Sequence, residues 1–428
     1  MTRTLRFHYD VVCPYAYLAS VRVEALAARA GVALEWCPIL LGGLFRNIGA
    51  SPDPNQIMNP AKARLNLLDM HRWAKYGGIP LHMPAQHPRR SVAAMRLLVA
   101  CPEAIRPALT HALYRAYWVL GQDIADRAVL ANIAEQHAVD PACIDSSEAR
   151  EGLFASTQAA ADLGAFGVPT FELDNRIWWG QDRMHLVAQA LGCHDDTGLP
   201  HAPEARSGPP EAPAVAGTKV VFFHDFSSPF SYLAHSQIAR IVAAYGAELE
   251  LVPILLGGLF RQLGTPDVPL LAMTPARRAY MGRDLDDWAN HWGVPFRFPD
   301  HFPLRTVLPL RVAIAEPAAT AAIYQAAWGE NLAIDQPEIL AQVLTQAGFD
   351  AQKLLEQATS KPVKDQLRAN TERARAAGAC GVPTMVVERP GRPPEMLWGQ
   401  DRLELVAAYL GGSDFGSVAA VESPLAST

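Results

Sequence analysis

Residues 10–20 read DVVCPYAYLAS and residues 225–235 read DFSSPFSYLAH, two versions of one segment set 215 positions apart. Each places a proline directly after Cys13 or Ser228 and then continues with apolar residues at helical spacing. A proline at the first helical position forfeits no hydrogen bond, so Pro14 and Pro229 open helices and Cys13 and Ser228 are their N-caps. The preceding runs TLRFHYDVV and TKVVFFHDF are short, β-branched and aromatic, as buried strands are. The first helix is predicted to stop at Gly31, a residue that tolerates the left-handed C-cap conformation. ALEWCPIL then reads as a second strand.

The repetition extends along the whole chain. PILLGGLFR recurs at Pro38–Arg46 and Pro253–Arg261, GVPT at Gly167 and Gly381, and WGQDR at Trp179 and Trp398. Identical blocks in one order mark a tandem duplication of a unit of about 195 residues, in line with two domains for 428 residues. The boundaries are expected at 1–197 and 218–414, joined by a Pro/Ala-rich linker over 198–217 and followed by a tail over 415–428. The tail after Gly412 reads as frayed. Within a unit, residues 58–165 are Ala-rich and helix-like, too long for a simple crossover, and predict a helical insertion. PTFELD and RIWWG follow as a hairpin, and DRMHLVAQALG as a closing helix, which gives an α/β layout with helices covering a small mixed sheet.

Composition narrows the function. A net charge of -6 without a dense basic run argues against nucleic acid. The six cysteines include no C-x-x-C pair and the 13 histidines are dispersed, which fits neither a disulfide framework nor a metal site. With neither a secretory leader nor an apolar run of about 20 residues, the expected setting is the cytoplasm, away from any membrane.

The chemistry is sought where the motifs repeat. The first N–H groups of a helix and its positive dipole end stabilise a thiolate, so the N-cap place suits a cysteine sulfur, or a hydroxyl that hydrogen-bonds a sulfur brought from outside. Cys13 is on that basis expected to have a lowered thiol pKa. Serine caps helices everywhere, and Ser228 alone therefore does not establish a site. If the Val168–Pro169 and Val382–Pro383 bonds are cis, the preceding backbone can pair with an extended peptide ligand. Asp182 and Asp401 are read as N-caps of the closing helices, where the N–H array would receive an anionic ligand group and the carboxylate an ammonium. Trp73, Trp288, Trp118 and Trp328 recur but are read as core. Arg46 and Arg261 are read as solvated ends, and HPRR from His87 as a surface loop.

The order D-x-x-S/C-P-[YF]-x-Y-L-A, LLGGLF, a helical insertion carrying PAK and RWA, GVPT and WGQDR resembles the 2-hydroxychromene-2-carboxylate isomerase and kappa-class glutathione transferase family, within the DsbA-like thioredoxin group. The resemblance covers nearly all of each repeat. It implies two tandem thioredoxin-like domains, each with an inserted α-helical subdomain, and glutathione as cofactor. It also implies site residues: Ser228 at the serine that steadies the glutathione thiolate, with Cys13 in its place in the first unit, and Val168, Pro169, Val382 and Pro383 pairing with the glutathione backbone. Gln181, Asp182, Gln400 and Asp401 would receive the γ-glutamyl end, and Lys62 and Arg277 stand at a basic position. No metal is implied.

Two departures qualify the match. Gly49-Ala50 and Gly264-Thr265 stand where the family often has Gly-Asn, and Asp287 stands where the first unit has Arg72. The expected activity is a glutathione-dependent isomerisation, cis-trans or ring-opening, of a small aromatic or conjugated carboxylate. The alternatives are a kappa-type transferase, a monothiol oxidoreductase, or one repeat kept as a binding module. Disulfide exchange is disfavoured because Cys13 lacks a resolving cysteine at Ala16. The repeats are expected to pack as an intramolecular pseudo-dimer, with further homodimerisation as the alternative.

Overall fold

A computed structural model of the chain describes residues 3–51, 60–193, 213–266 and 268–415. In the first unit, β1 (Thr4–Tyr9), α1 (Pro14–Ala30) and β2 (Ala33–Pro38) form a parallel strand–helix–strand start, followed by α2 (Leu41–Asn47). The insertion comprises α3 (Pro60–Tyr76), α4 (Val92–Ala100), α5 (Arg106–Trp118) and α6 (Arg127–Gln136), and α7 (Ser147–Asp162) leads back to the sheet. The unit closes with β3 (Thr170–Leu173), β4 (Arg176–Trp179) and α8 (Met184–Ala190). The strand order is β2-β1-β3-β4, with β1 parallel to β2 and antiparallel to β3, and β3 antiparallel to β4.

The second unit repeats the plan with β5 (Lys219–His224), α9 (Pro229–Ala244), β6 (Glu248–Pro253), α10 (Leu256–Leu263) and α11 (Pro275–Trp292). Then come α12 (Val307–Ala315), α13 (Thr320–Tyr324), α14 (Pro337–Gln346), α15 (Ala351–Ala358) and α16 (Lys361–Ala376). β7 (Thr384–Glu388), β8 (Glu395–Trp398) and α17 (Leu403–Leu410) end it, in the strand order β6-β5-β7-β8. Both units are thus of the α/β class, each with a four-stranded mixed sheet covered by helices, as the expected thioredoxin-like layout requires.

Aromatic runs build the cores as their alternation requires. Phe7 and Tyr9 stack at 5.4 Å and both meet the edge of Trp36, while Trp118 donates from Nε1 to the Val11 carbonyl at 2.9 Å and Trp328 to the Phe226 carbonyl at 2.7 Å. The insertion is thereby tied to the loop before the first helix of each unit. Burying an aromatic side chain contributes roughly 2 to 3 kcal/mol, so these rings hold the insertion firmly against the sheet.

The end of the chain departs from the sequence reading. Residues 416–428 of the tail, like 198–212 of the linker, lie outside the described residues. The tail just after Gly412 is docked, not frayed. Ser413 donates its N–H to Ala408, its carbonyl accepts from Arg389 at 2.9 Å, and the Phe415 ring meets Tyr409 and Tyr76 edge-on at 4.8 and 6.1 Å. Apolar burial of Phe415 supplies the anchor that composition did not reveal.

Candidate functional site

Each unit gathers its repeated motifs at the start of its first helix. Cys13 and Ser228 are the N-caps of α1 and α9, both extended in backbone, with Pro14 and Pro229 next in line. Cys13 Sγ lies 3.2 Å from the Val168 carbonyl, and Ser228 Oγ donates to the Val382 carbonyl at the same distance. Ser228 Oγ also accepts from the Ser231 N–H at 3.2 Å. Both Val–Pro bonds are cis, and neither the Val168 nor the Val382 N–H donates to an acceptor among the described residues.

Burial overturns the expected low thiol pKa of Cys13. The residue is only 8% exposed, and loss of solvent pushes its thiol up to about 12. The helix-start N–H groups of Ala16 and Tyr15 pull down but do not offset that, and nearby Asp10 adds to the rise. Without a ligand, Cys13 is a neutral thiol donating to a carbonyl.

GVPT and WGQDR, distant in sequence, form one piece. Gly180 donates to the Pro169 carbonyl at 2.9 Å and Gly399 to Pro383 at 3.0 Å. A Cβ on Gly167 would meet Trp179 Nε1 at 2.5 Å, so only glycine lets the indole close over the strand start. Gly180 itself has φ +106°, and its missing Cβ makes room for the Asp182 carboxylate.

Asp182 and Asp401 are not the N-caps of the closing helices. Gly180 and Gly399 start short 3-10 turns, Arg183 and Arg402 precede α8 and α17, and the aspartates sit inside the turns. Their carboxylates are engaged by arginines instead. Arg183 contacts Asp401 at 2.9 Å and Asp284 at 2.9 Å, and Arg402 contacts Asp182 at 2.7 Å and Asp69 at 2.6 Å. Every one of these four contacts joins one repeat to the other. Tyr15 donates to Asp69 at 3.2 Å and Tyr280 to Asp284 at 3.1 Å.

Burial works against the Arg183 and Arg402 charges, yet the surrounding carboxylates hold both well above the ordinary value. Burial raises Asp69 and Asp284 against the pull of their arginines, whereas at Asp182 the arginines prevail and hold the carboxyl low. The cluster sets Asp69, Asp182, Asp284 and Asp401 against Arg183 and Arg402, an excess of two negative charges when all are ionised.

The basic pair is crossed between the units. Lys62 Nζ of the first unit lies 5.4 Å from the Trp398 ring of the second, and its ammonium opposes burial at Cys380, whose thiol is nonetheless pushed up to about 11. Arg277 of the second unit lies over Phe166 and Trp179 of the first, at 6.0 and 5.8 Å. Gln181 and Gln400 are each 1% exposed, one accepting from Arg22 and the other from Trp292 at 3.4 Å. Their Nε2 atoms meet no partner among the described residues.

Sequence reasoning missed Asp10 and Asp225, although both head the repeated stretch. Asp10 accepts from Leu41 N at 2.9 Å, Ser91 Oγ at 3.0 Å and Val12 N at 3.2 Å. Asp225 repeats this with Leu256 N at 2.8 Å, Thr306 Oγ at 2.6 Å and Ser227 N at 2.9 Å. Each carboxyl therefore locks the LLGG helix and the insertion to the loop that presents Cys13 or Ser228. It also missed Arg183, Arg402, Asp69 and Asp284, whose identity in both copies was the available signal.

The donor set suits glutathione. Open Val N–H groups can pair with a peptide, a hydroxyl or thiol stands at a helix start, and the excess of carboxylate suits an ammonium. Among the described residues no helix is long and apolar enough to cross a membrane, and no cluster of metal-ligating side chains occurs.

Residues 4–192 and 219–411 each match the DSBA-like thioredoxin domain. A 2-hydroxychromene-2-carboxylate isomerase of Sphingobium xenophagum is 30% identical over 195 residues, 45% of this chain and 99% of that protein. Human glutathione S-transferase kappa 1 is 29% identical over 215 residues, 46% of this chain and 93% of that one. A solved structure of a 2-hydroxychromene-2-carboxylate isomerase aligns with a TM-score of 0.41 at 27% identity, over 45% of this chain and 95% of that one. The relatives thus have about the length of one unit, and they are named as isomerases and transferases. The chain belongs to the 2-hydroxychromene-2-carboxylate isomerase and kappa-class glutathione transferase family of DSBA-like thioredoxin domains, as a tandem duplication of that domain.

Proposed function

We propose that the protein is a cytoplasmic, glutathione-dependent isomerase of a small aromatic or conjugated carboxylate, with its units packed as an intramolecular pseudo-dimer. The observation that carries the reading is Ser228 Oγ, fixed at the start of α9 between the Ser231 N–H and the Val382 carbonyl. A hydroxyl has no redox chemistry of its own, but there it can donate to a thiolate brought by a ligand. Bound glutathione would supply a thiolate nucleophile suited to reversible addition at a conjugated carbon.

The protein's own residues then bind and orient. Val382 would pair with the peptide backbone, and the turn at Gln400 and Asp401 would take the γ-glutamyl end. The two negative charges in excess at Asp69, Asp182, Asp284 and Asp401 match two ammonium groups, one for each cleft. Lys62 and Arg277 supply positive charge across the units, suited to a carboxylate. The insertion would supply the substrate contacts.

Calorimetric titration of the whole chain with reduced glutathione tests the proposal. Saturable binding, weakened in Ser228→Ala, is expected; no binding heat at millimolar ligand would leave the chain a scaffold.

A further inference from the structure

The family relatives are single units, so a duplicated chain faces a choice that they do not. Its first unit could pair with its own second unit, or with the first unit of another chain. Two ion pairs between the units bear on this choice. Arg72 on α3 donates to Glu395 Oε2 at the start of β8 at 2.7 Å, and further to the Met396 carbonyl at 2.7 Å and Tyr409 Oη at 3.0 Å. The counterpart contact, between α11 and the start of β4, joins Asp287 to Arg176.

These are equivalent places in the two copies. Position 72 corresponds to 287, three residues beyond Asp69 and Asp284, and position 176 corresponds to 395, three residues before the tryptophan of WGQDR. The signs are exchanged between the two contacts. The first unit supplies arginine to both, and the second supplies a carboxylate to both.

We infer that this exchanged pair is a specificity device, which makes the pairing face of each unit accept the opposite unit and reject a copy of itself. Two first units face to face would set Arg72 against Arg176 at both contacts, and two second units would set Asp287 against Glu395 at both. The penalty is large at the first contact, because Arg72 and Glu395 are 5% and 8% exposed and a buried charge cannot turn to solvent. Two first units would also deny Arg72 its hydroxyl acceptor, since Ala190 stands where the second unit has Tyr409. The neighbouring contacts do not discriminate in this way. Tyr76 meets Glu404 and His291 meets His185, and neither homotypic pairing sets like charges there. Rejection of the wrong partner therefore rests on the arginine–carboxylate exchange.

The test uses the whole chain with a protease site inserted between residues 193 and 213. The protein is cut after folding, unfolded in denaturant, refolded as a mixture of halves, and weighed by native mass spectrometry. Wild-type halves are expected to return as first-with-second pairs, in at least about tenfold excess over either homotypic pair. Arg72→Glu combined with Glu395→Arg gives up the bond to the Met396 carbonyl but keeps both ion pairs between the units attractive, and it gives each unit one basic and one acidic member. Homotypic pairs should then appear in number. Asp287→Arg combined with Arg176→Asp predicts the same and acts on a contact whose arginine is half-exposed, so it holds if the buried exchange does not fold. A near-random mixture from wild-type halves, or undiminished discrimination in the variant that folds, would overturn the inference.

Discussion

Ser228 and Cys13 occupy one position, and each donates to the carbonyl of the valine before a cis proline. The serine hydroxyl can donate a hydrogen bond to a thiolate, and a hydrogen bond to a charged group is worth about 1.5 to 3 kcal/mol. Ser228→Ala should therefore lower turnover of 2-hydroxychromene-2-carboxylate, taken as a probe substrate, by roughly tenfold to a hundredfold. Losing the cap should cost only about 1 kcal/mol, so the thermal midpoint checks that the fold survives. Cys13, with its buried thiol pushed up to about 12, should be slow to alkylate. Iodoacetamide labelling followed by mass spectrometry at pH 7 is expected to modify the half-buried Cys143 and Cys193 first, and early modification of Cys13 would contradict the burial argument. Asp10 gives a pH dependence. Burial raises its carboxyl to about 6 from an ordinary value near 3.9, so between those limits the folded state holds a proton that the unfolded state has released. Its contribution is present below about pH 4 and is lost as pH rises to about 6. Asp10→Asn should flatten that slope in unfolding measurements, by an amount on the order of 3 kcal/mol across the window.

At the scale of elements, the closure of Trp179 over Gly167 joins a strand start to a turn that the sequence separates. Gly167→Ala forces a Cβ into the indole, and overpacking of this kind costs about 1 to 3 kcal/mol. The expected result is a lower melting temperature together with weaker glutathione binding, whereas an unchanged affinity would separate the turn from the ligand site. The strands, the proline-opened helices and the helical insertion were legible because each rests on local pattern: β-branched runs, Pro14 and Pro229, and apolar spacing. The role of WGQDR was only half legible. Asp182 and Asp401 carry the composition of a helix cap, but their carboxylates turn to Arg402 and Arg183 across the molecule, and a capping rule that looks only along the chain cannot see a partner some 220 positions away. The high thiol pKa of Cys13 escaped for a related reason, since helix position is written locally while burial is a property of the packed whole.

On the scale of the molecule, Arg183 and Arg402 each bridge the repeats through carboxylates that solvent hardly reaches. Removing one partner of a buried ion pair typically costs 3 to 5 kcal/mol because the other charge stays behind. Arg183→Met with Arg402→Met is expected to split a single calorimetric unfolding transition into two, as each unit melts alone, and one undivided transition would show that the repeats are held by other contacts. The crossing of Lys62 and Arg277 reaches beyond stability. On the proposed reading, a lesion at Lys62 lies in the first half of the reading frame but would alter the cleft of the second, and a lesion at Arg277 would do the reverse. Genetic mapping of such mutants would assign each defect to the wrong half. On the same reading, truncation after the first repeat would forfeit both clefts at once, one for lack of its walls and the other for lack of its cation.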